Sequence, residues 1–515
     1  MYRYMFRILL LAALSILSLT LSEAQESHAL TINVRIAESV TESFHHDGRL
    51  LVFIGNSRRP EPRTRTWPNG ANHILATNIT GWRPSMIITA HEGGRWLTTT
   101  DHSLDAFPRG TYYVQALWDQ DTLESRIDAP GNLYSEVVEV HLNRDRGVDL
   151  VIDQQIGKRA LISHPLVAYV EMRSDILSAW WGKEMRIKAA VLLPHGFQEN
   201  TSERYPLRVN IAGYGGRYNR INRVMRNQEF AGWWDSEQAP QMVNLFLDGE
   251  GPFGDCYQLD SDNSGPYGRA LTEELIPYVE ETYRCIGTPA ARFLDGCSTG
   301  GWVSLALQLF YPDYFNGTWS YSPDPVDFTH NQLINIYKDE NAFYNEYGYL
   351  RPVARDVTGD PRISLQDFIQ YENVLGRSNT YVTSGGQFSA FTALYSPKGD
   401  DGLPVPLFDP VTGKIDRAVA EHWKKYDLAH HTETNWATLG PRINGKIWIW
   451  MGDMDNFYLN PAVHSFKAML EKQKKPSSDA QVHITPMEGH CWQFDHREVL
   501  EMMWDKWLQI RTDDQ

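Results

Sequence analysis

Ser298 stands in Gly296-Cys297-Ser298-Thr299-Gly300, a Gly-x-Ser-x-Gly pattern set between a short apolar segment, Ala291 to Leu294, and a helical-looking run, Trp302 to Leu309. Glycines flanking a serine at such a strand-to-helix turn have a steric purpose. Larger side chains there would collide with the neighbouring strand and helix. A serine hydroxyl is hardly ionised near neutral pH, so acyl transfer through Ser298 needs a base. It also needs an acid to orient that base and backbone donors for the developing oxyanion.

The sequence offers each of these in the order Ser, Asp, His. Gly452-Asp453-Met454-Asp455 follows a strand-like run, Lys446 to Met451, and the Gly-x-x-Asp spacing favours Asp455 over Asp453 as the orienting acid. His490, in Gly489-His490-Cys491, falls between the last strand-like run and the last helix, whereas His483 sits inside the strand and His496 at the helix start. The amide of Thr299, at the start of the helix after the turn, is one expected oxyanion donor. The second is expected from Tyr214 or Gly215 in the glycine-rich loop Gly213-Tyr214-Gly215-Gly216, which follows an earlier strand.

The four cysteines, Cys256, Cys285, Cys297 and Cys491, allow three disulfide connectivities. Cys297 precedes the candidate nucleophile and Cys491 follows the candidate base. If Ser298 and His490 meet, their neighbours fall within disulfide range. A Cys297–Cys491 bridge then staples the histidine loop to the serine turn, and Cys256 and Cys285 remain as a second expected pair closing a loop of about 30 residues.

The elements that must position these residues change character along the chain. Short runs from Thr31 to Ile152, punctuated by Gly, Pro and Asn, read as strands without helical periodicity and predict an all-β sandwich over residues 25–157. From residue 158 strands alternate with helices, the signature of an α/β layer structure with a largely parallel sheet. Between about residues 324 and 440 the alternation fails in a stretch rich in Tyr, Phe, Asn, Gly and Pro, expected as an insertion that could fold over the sheet's carboxyl edge as a lid. The whole is therefore expected as an α/β-hydrolase fold with an N-terminal sandwich and a lid-like insertion before the acid.

Composition sets the outer limits. A length of 515 residues favours two domains, and a formal net charge of −16 argues against a nucleic-acid partner. Arg3 and Arg7, the apolar run Ile8 to Leu21 and Ser22-Glu23-Ala24 read as a signal peptide over residues 1–24. That run is too short for a membrane span, so the mature chain is expected to be secreted or periplasmic. The chemistry needs no metal or organic cofactor; Asp255, Asp260 and Asp262 read as an ordinary acidic loop.

Arg269 to Tyr283, the serine turn and Tyr311-Pro312-Asp313-Tyr314-Phe315 together resemble the family named Putative esterase, which includes esterase D (formylglutathione hydrolase), mycolyltransferases and several feruloyl esterases. The resemblance covers about half the chain and implies Ser298, Asp455 and His490 as the triad. Cys297-Ser298, Asp455 and His490-Cys491 are also similar to the Cys-Ser…Asp…His-Cys arrangement of tannase-family feruloyl esterases. Glucuronoyl esterases carry Arg after the serine, where this chain has Thr299. The expectation is a secreted serine hydrolase of carboxylic esters, with a small-molecule or carbohydrate ester as substrate. Its rivals are a peptidase or acyltransferase on the same fold and a binding protein without turnover.

Overall fold

Apolar side chains alternate with polar ones in Thr31–Ile36 (β1), whose Ile32, Val34 and Ile36 are buried. This strand begins an all-β unit in the computed structural model, which describes residues 30–513 apart from 69–71, 91–94, 100–103, 105, 106, 143 and 146. The signal peptide expected over residues 1–24 lies outside the described residues. The other strands of the unit are β2 (Gly48–Gly55), β3 (Asn72–Ile79), β4 (Ile88–Ala90), β5 (Leu97–Thr98), β6 (Thr111–Asp119), β7 (Leu133–Ser135), β8 (Val138–His141) and β9 (Gly147–Gln155).

These nine strands form one continuous sheet in the order β4-β1-β9-β7-β6-β2-β3-β5, with β8 also on β6. The expected sandwich of two sheets is thus one sheet, joined through the short β7. Ile32 and Val34 of β1 share a core with Leu50 and Val52 of β2, Trp118 of β6 and Leu150 of β9, so the sheet folds over its own apolar face. Leu51 and Phe53 of β2 point the other way, into a second cluster. Because β2 is covered on both faces, its sequence reads as an unbroken apolar run rather than an alternation.

The second sheet has eight strands: β10 (Val167–Ser174), β11 (Met185–Leu192), β12 (Leu207–Ile211), β13 (Val243–Leu247), β14 (Arg292–Cys297), β15 (Thr318–Tyr321), β16 (Ile447–Gly452) and β17 (Gln481–Thr485). Their order is β10-β11-β13-β12-β14-β15-β16-β17. β11 is antiparallel to both neighbours, and every pair from β13 onward is parallel. That order, with an antiparallel second strand, is the α/β-hydrolase arrangement. A continuous helical segment at 267–282 (α1) precedes β14, and Thr299–Phe310 (α2) follows it directly. β12, β13 and β14 are buried along their whole length. Inside them, Arg208 of β12 and Asp295 of β14 form a fully buried ion pair at 2.6 Å that also receives the amide of Asn210, at 3.0 Å. The pair bridges two adjacent central strands with its charges hydrogen-bonded inside the sheet.

Between β15 and β16 lie a small hairpin (Pro352–Arg355 with Pro361–Ser364) and the helices Leu365–Leu375 (α3), Gln387–Tyr395 (α4) and Leu428–Ile443 (α5). Ile369, Phe388, Phe391 and Leu394 share the main core with Val209, Leu294 and Trp302. The far side of α3 meets the outer face of the N-terminal sheet, where Tyr371 and Val374 join Leu51, Phe53, Ile74, Ala76 and Leu117. Polar contacts lock this junction. Arg49 donates from Nε and Nη2 to the Val374 carbonyl at 3.0 and 2.7 Å, satisfying an orphan acceptor at the α3 C-terminus. Arg377 grips Asp119 with two hydrogen bonds of 2.9 and 2.7 Å. The chain closes with Asn460–Lys472 (α6) and His496–Asp513 (α7). No helix among the described residues is long and apolar enough to cross a membrane.

Candidate active site

β14 delivers the chain to Ser298 and α2 carries it away, leaving Ser298 at φ 62° and ψ −127° between them. A non-glycine residue with positive φ is strained, and it persists here because both sides are held. The Ser298 amide donates to the Tyr321 carbonyl at 2.9 Å, and the Ser298 carbonyl accepts from Trp302 at 3.0 Å. The glycines are steric requirements. A methyl at Gly300 would stand 2.2 Å from the Ile211 carbonyl oxygen, and one at Gly296 would stand 2.5 Å from the Gly300 backbone. α2 thus approaches β12 as closely as backbone can.

β16 and β17 end on the same side of the sheet and supply the remaining groups. Asp455, fully buried in the turn after β16, accepts from His490 Nδ1 at 2.6 Å through Oδ2. Its Oδ1 accepts from the amides of Phe457 at 2.8 Å and Leu459 at 3.3 Å. Arg355, from the insertion, donates to the Asp455 carbonyl at 2.9 Å and steadies the turn from outside. His490 is itself fixed by its own amide, which donates to Asn456 Oδ1 at 2.9 Å. Asp453 points elsewhere and pairs with His464 Nε2 at 2.8 Å on the surface. Burial opposes a charge on His490. The Asp455 carboxylate, by charge and hydrogen bond, and then Asp324 outweigh it and hold the imidazole above its ordinary 6.5.

Cys297 and Cys491 form a disulfide with Cα atoms 6.0 Å apart, linking positions 194 residues apart in the chain. The bridge joins the residue before Ser298 to the residue after His490. The Cys491 amide also donates to Ser322 Oγ at 3.0 Å, at the end of β15. The Ser298 hydroxyl makes no hydrogen bond among the described residues. In active sites without substrate such contacts are commonly long, and they tighten when the substrate is bound.

Thr299 is the first residue of α2, where backbone amides have no partner within the helix. Opposite it, the loop after β12 turns through a Gly216 amide bond to the Gly213 carbonyl, which leaves the amides of Tyr214 and Gly215 unbonded among the described residues. Gly213 lies directly against Ser298: a methyl on it would be 3.4 Å from Ser298 Cβ. Tyr214 Oη donates to the Gly385 carbonyl at 2.7 Å, tying this loop to the insertion.

Two groups at the site gave no signal in the sequence. Asp324, buried just after β15, accepts through Oδ2 from Tyr257 Oη at 2.7 Å, Thr299 Oγ1 at 2.9 Å and Gln387 Nε2 at 3.3 Å. Burial pushes its carboxyl up to about 6 despite these bonds. An aspartate in a Pro- and Ser-rich stretch reads as a surface loop, and only the tertiary fold buries it. The second is Arg126 of the N-terminal unit, 172 residues before Ser298 in the sequence. It reaches the Tyr214–Gly215 loop, with its guanidinium 5.6 Å from the Tyr214 ring.

One expectation is overturned. Cys256 and Cys285 are free, buried thiols rather than a second bridge. Cys256 packs with Leu177, Met185, Tyr267 and Ala270, while Cys285 belongs to the main core. Each fills an apolar niche of its own, and burial raises both thiols well above their usual range.

Residues 183–508 match the family described as Putative esterase. Similar solved structures include a ferulic acid esterase at 15% identity, TM-score 0.41, over 66% of this chain and 96% of that one. Another is a fluorophosphonate-binding serine hydrolase of Staphylococcus aureus, solved with substrate bound, at 12% identity, TM-score 0.39, over 66% and 98%. A third is an S-formylglutathione hydrolase from Agrobacterium tumefaciens at 14% identity, TM-score 0.34, over 67% and 94%. A comparison with curated protein sequences gives no match.

Proposed function

The chain belongs to the Putative esterase family of serine carboxylic-ester hydrolases, and on that premise we propose that Ser298, His490 and Asp455 are its catalytic triad. The observation that carries the reading is the 2.6 Å contact between Asp455 Oδ2 and His490 Nδ1, on the loop bridged by Cys297–Cys491 to the serine turn. The hydrogen bond to Asp455 Oδ2 keeps the proton on Nδ1 and leaves Nε2 as the basic nitrogen.

The steps follow from these roles. His490 removes the proton of Ser298 as its oxygen attacks the ester carbonyl. The amides of Thr299 and of Tyr214 or Gly215 hold the oxyanion, and the positive end of α2 favours the same charge. His490 then protonates the departing alcohol, and water repeats the cycle on the acyl-enzyme.

An aryl or sugar group is the substrate portion this reading favours. Phe457 stands edge-on to the His490 imidazole with ring centres 4.9 Å apart. Trp67 of the N-terminal unit, 47% exposed, lies 6.0 Å from Phe457 and 5.4 Å from Phe368 of α3. These edge-to-face rings beside the base offer apolar ring faces and edges against which an aryl or sugar group can pack. The disulfide beside the triad fits an oxidising compartment and so supports export.

The test is hydrolysis of short 4-nitrophenyl esters by the wild-type enzyme and by Ser298→Ala, with peptide anilides run alongside. Ester turnover that disappears in the variant supports the reading. Turnover undiminished in Ser298→Ala, or preference for the anilide, contradicts it.

A further inference from the structure

Arg126 sits at the tip of a loop that the N-terminal unit extends into the catalytic one. Its Nε donates to Asp128 Oδ1 at 3.1 Å, and no hydrogen bond among the described residues occupies Nη1 or Nη2. The Arg126 side chain as a whole keeps 28% of its surface open to solvent. It occupies the space in which a side chain at position 215 would otherwise stand: a methyl on Gly215, at φ +72°, would lie 2.1 Å from Nη1. On its other side the Arg126 backbone abuts Gly385, where a methyl would be 2.9 Å from the Arg126 amide nitrogen.

These neighbours are the walls of the candidate active site. The 213–216 loop contacts Ser298 through Gly213, and Gly385 opens the segment whose Gln387 reaches Asp324 and Thr299 at 3.3 and 3.4 Å. The loop carrying Arg126 is anchored from behind. Glu124 accepts from Arg159 at 3.0 Å and from Arg217 at 3.1 Å, so the guanidinium is presented by a fixed backbone.

An arginine with Nε already occupied keeps its two terminal nitrogens as a planar fork, the geometry that receives a carboxylate in two parallel hydrogen bonds. Resting on the esterase reading above, we propose that Arg126 is a specificity residue and that the enzyme selects esters bearing a carboxylate group. The N-terminal unit thereby completes the substrate site rather than decorating it.

The experiment compares charged and neutral esters of matched size, on both sides of the scissile bond. Mono-4-nitrophenyl succinate against 4-nitrophenyl butyrate places the charge on the acyl side, and 4-carboxyphenyl acetate against phenyl acetate places it on the alcohol side. The wild-type enzyme favours the charged member of at least one pair, and that pair identifies the side Arg126 reads. In Arg126→Gln the ratio of charged to neutral kcat/KM falls by about tenfold or more, chiefly through KM, because a charge-assisted bidentate contact is lost. Arg126→Lys, which keeps the charge without the fork, recovers only part of that ratio. Equal losses on charged and neutral esters reduce Arg126 to a prop for the 213–216 loop and overturn the proposal, as does a wild-type enzyme indifferent to charge. Absence of turnover on all four esters rejects the esterase reading itself, and this proposal with it.

Discussion

Replacing Asp455 by Asn keeps the shape of the turn and changes only which atoms donate. In the native turn Oδ1 accepts from the Phe457 and Leu459 amides, and Oδ2 accepts from His490 Nδ1. An asparagine has one oxygen, and two backbone donors fix it on the Phe457 side. Its NH2 group then faces Nδ1, which must become an acceptor, so the ring proton moves to Nε2 and His490 can no longer take a proton from Ser298. Loss of the correct tautomer at such a site costs about 10⁴ in kcat, or roughly 5.5 kcal/mol of barrier. A second readout checks the electrostatics. Burial alone lowers the His490 pKa, and Asp455 is the first group that raises it above 6.5. The base must be neutral to act, so the acidic limb of kcat/KM lies above pH 6.5 in the wild type and moves to lower pH in the variant. The assay is initial-rate hydrolysis of 4-nitrophenyl butyrate from pH 5 to 9, with Asp453→Asn as control because Asp453 bonds His464. A loss of less than about tenfold in Asp455→Asn, or an equal loss in Asp453→Asn, refutes the assignment.

Removing the bridge in a Cys297→Ser, Cys491→Ser double variant frees a loop of 194 residues, for which chain entropy predicts up to about 5 kcal/mol of lost stability. Urea unfolding measures the loss, and turnover falls with it because the His490 loop is no longer stapled to Ser298; unchanged values on both counts contradict a structural role. Asp324→Asn keeps an acceptor for Tyr257, Thr299 and Gln387 but cannot ionise. The folded Asp324 pKa is raised from 3.8 to about 6, so its contribution is complete below pH 3.8 and is lost as pH rises through about 6. Thermal melts from pH 4 to 7 therefore show a smaller decline in the variant than in the wild type, by at most about 3 kcal/mol. An identical pH dependence sinks this account.

How far the sequence reaches depends on the range of the physics. The serine turn is local: Gly296 and Gly300 are dictated by a backbone approach that any strand-to-helix elbow imposes, so the motif can be read directly. Asp455 and His490 stand out as candidates because strands β16 and β17 are rich in β-formers and their ends mark the sheet's carboxyl edge. Cysteine parity, by contrast, carries no distance information. It paired Cys256 with Cys285 by elimination, whereas the fold assigns them to different apolar clusters. Asp324 and Arg126 depend on long-range packing. The first is buried by Tyr257, Thr299 and Gln387 from three separate segments, and the second is brought in by another folded unit. The single continuous N-terminal sheet likewise depends on β7, three residues long and too short to register as a pattern.

The central claim is that Ser298 is a nucleophile activated by its setting. Incubation with a fluorophosphonate probe followed by peptide mapping tests it directly, because such probes form a covalent bond only with an activated hydroxyl. The account predicts one labelled peptide, carrying the probe on Ser298, with labelling abolished in Ser298→Ala and in His490→Ala. A folded wild-type protein that stays unlabelled, or that carries the probe on a different residue, contradicts it.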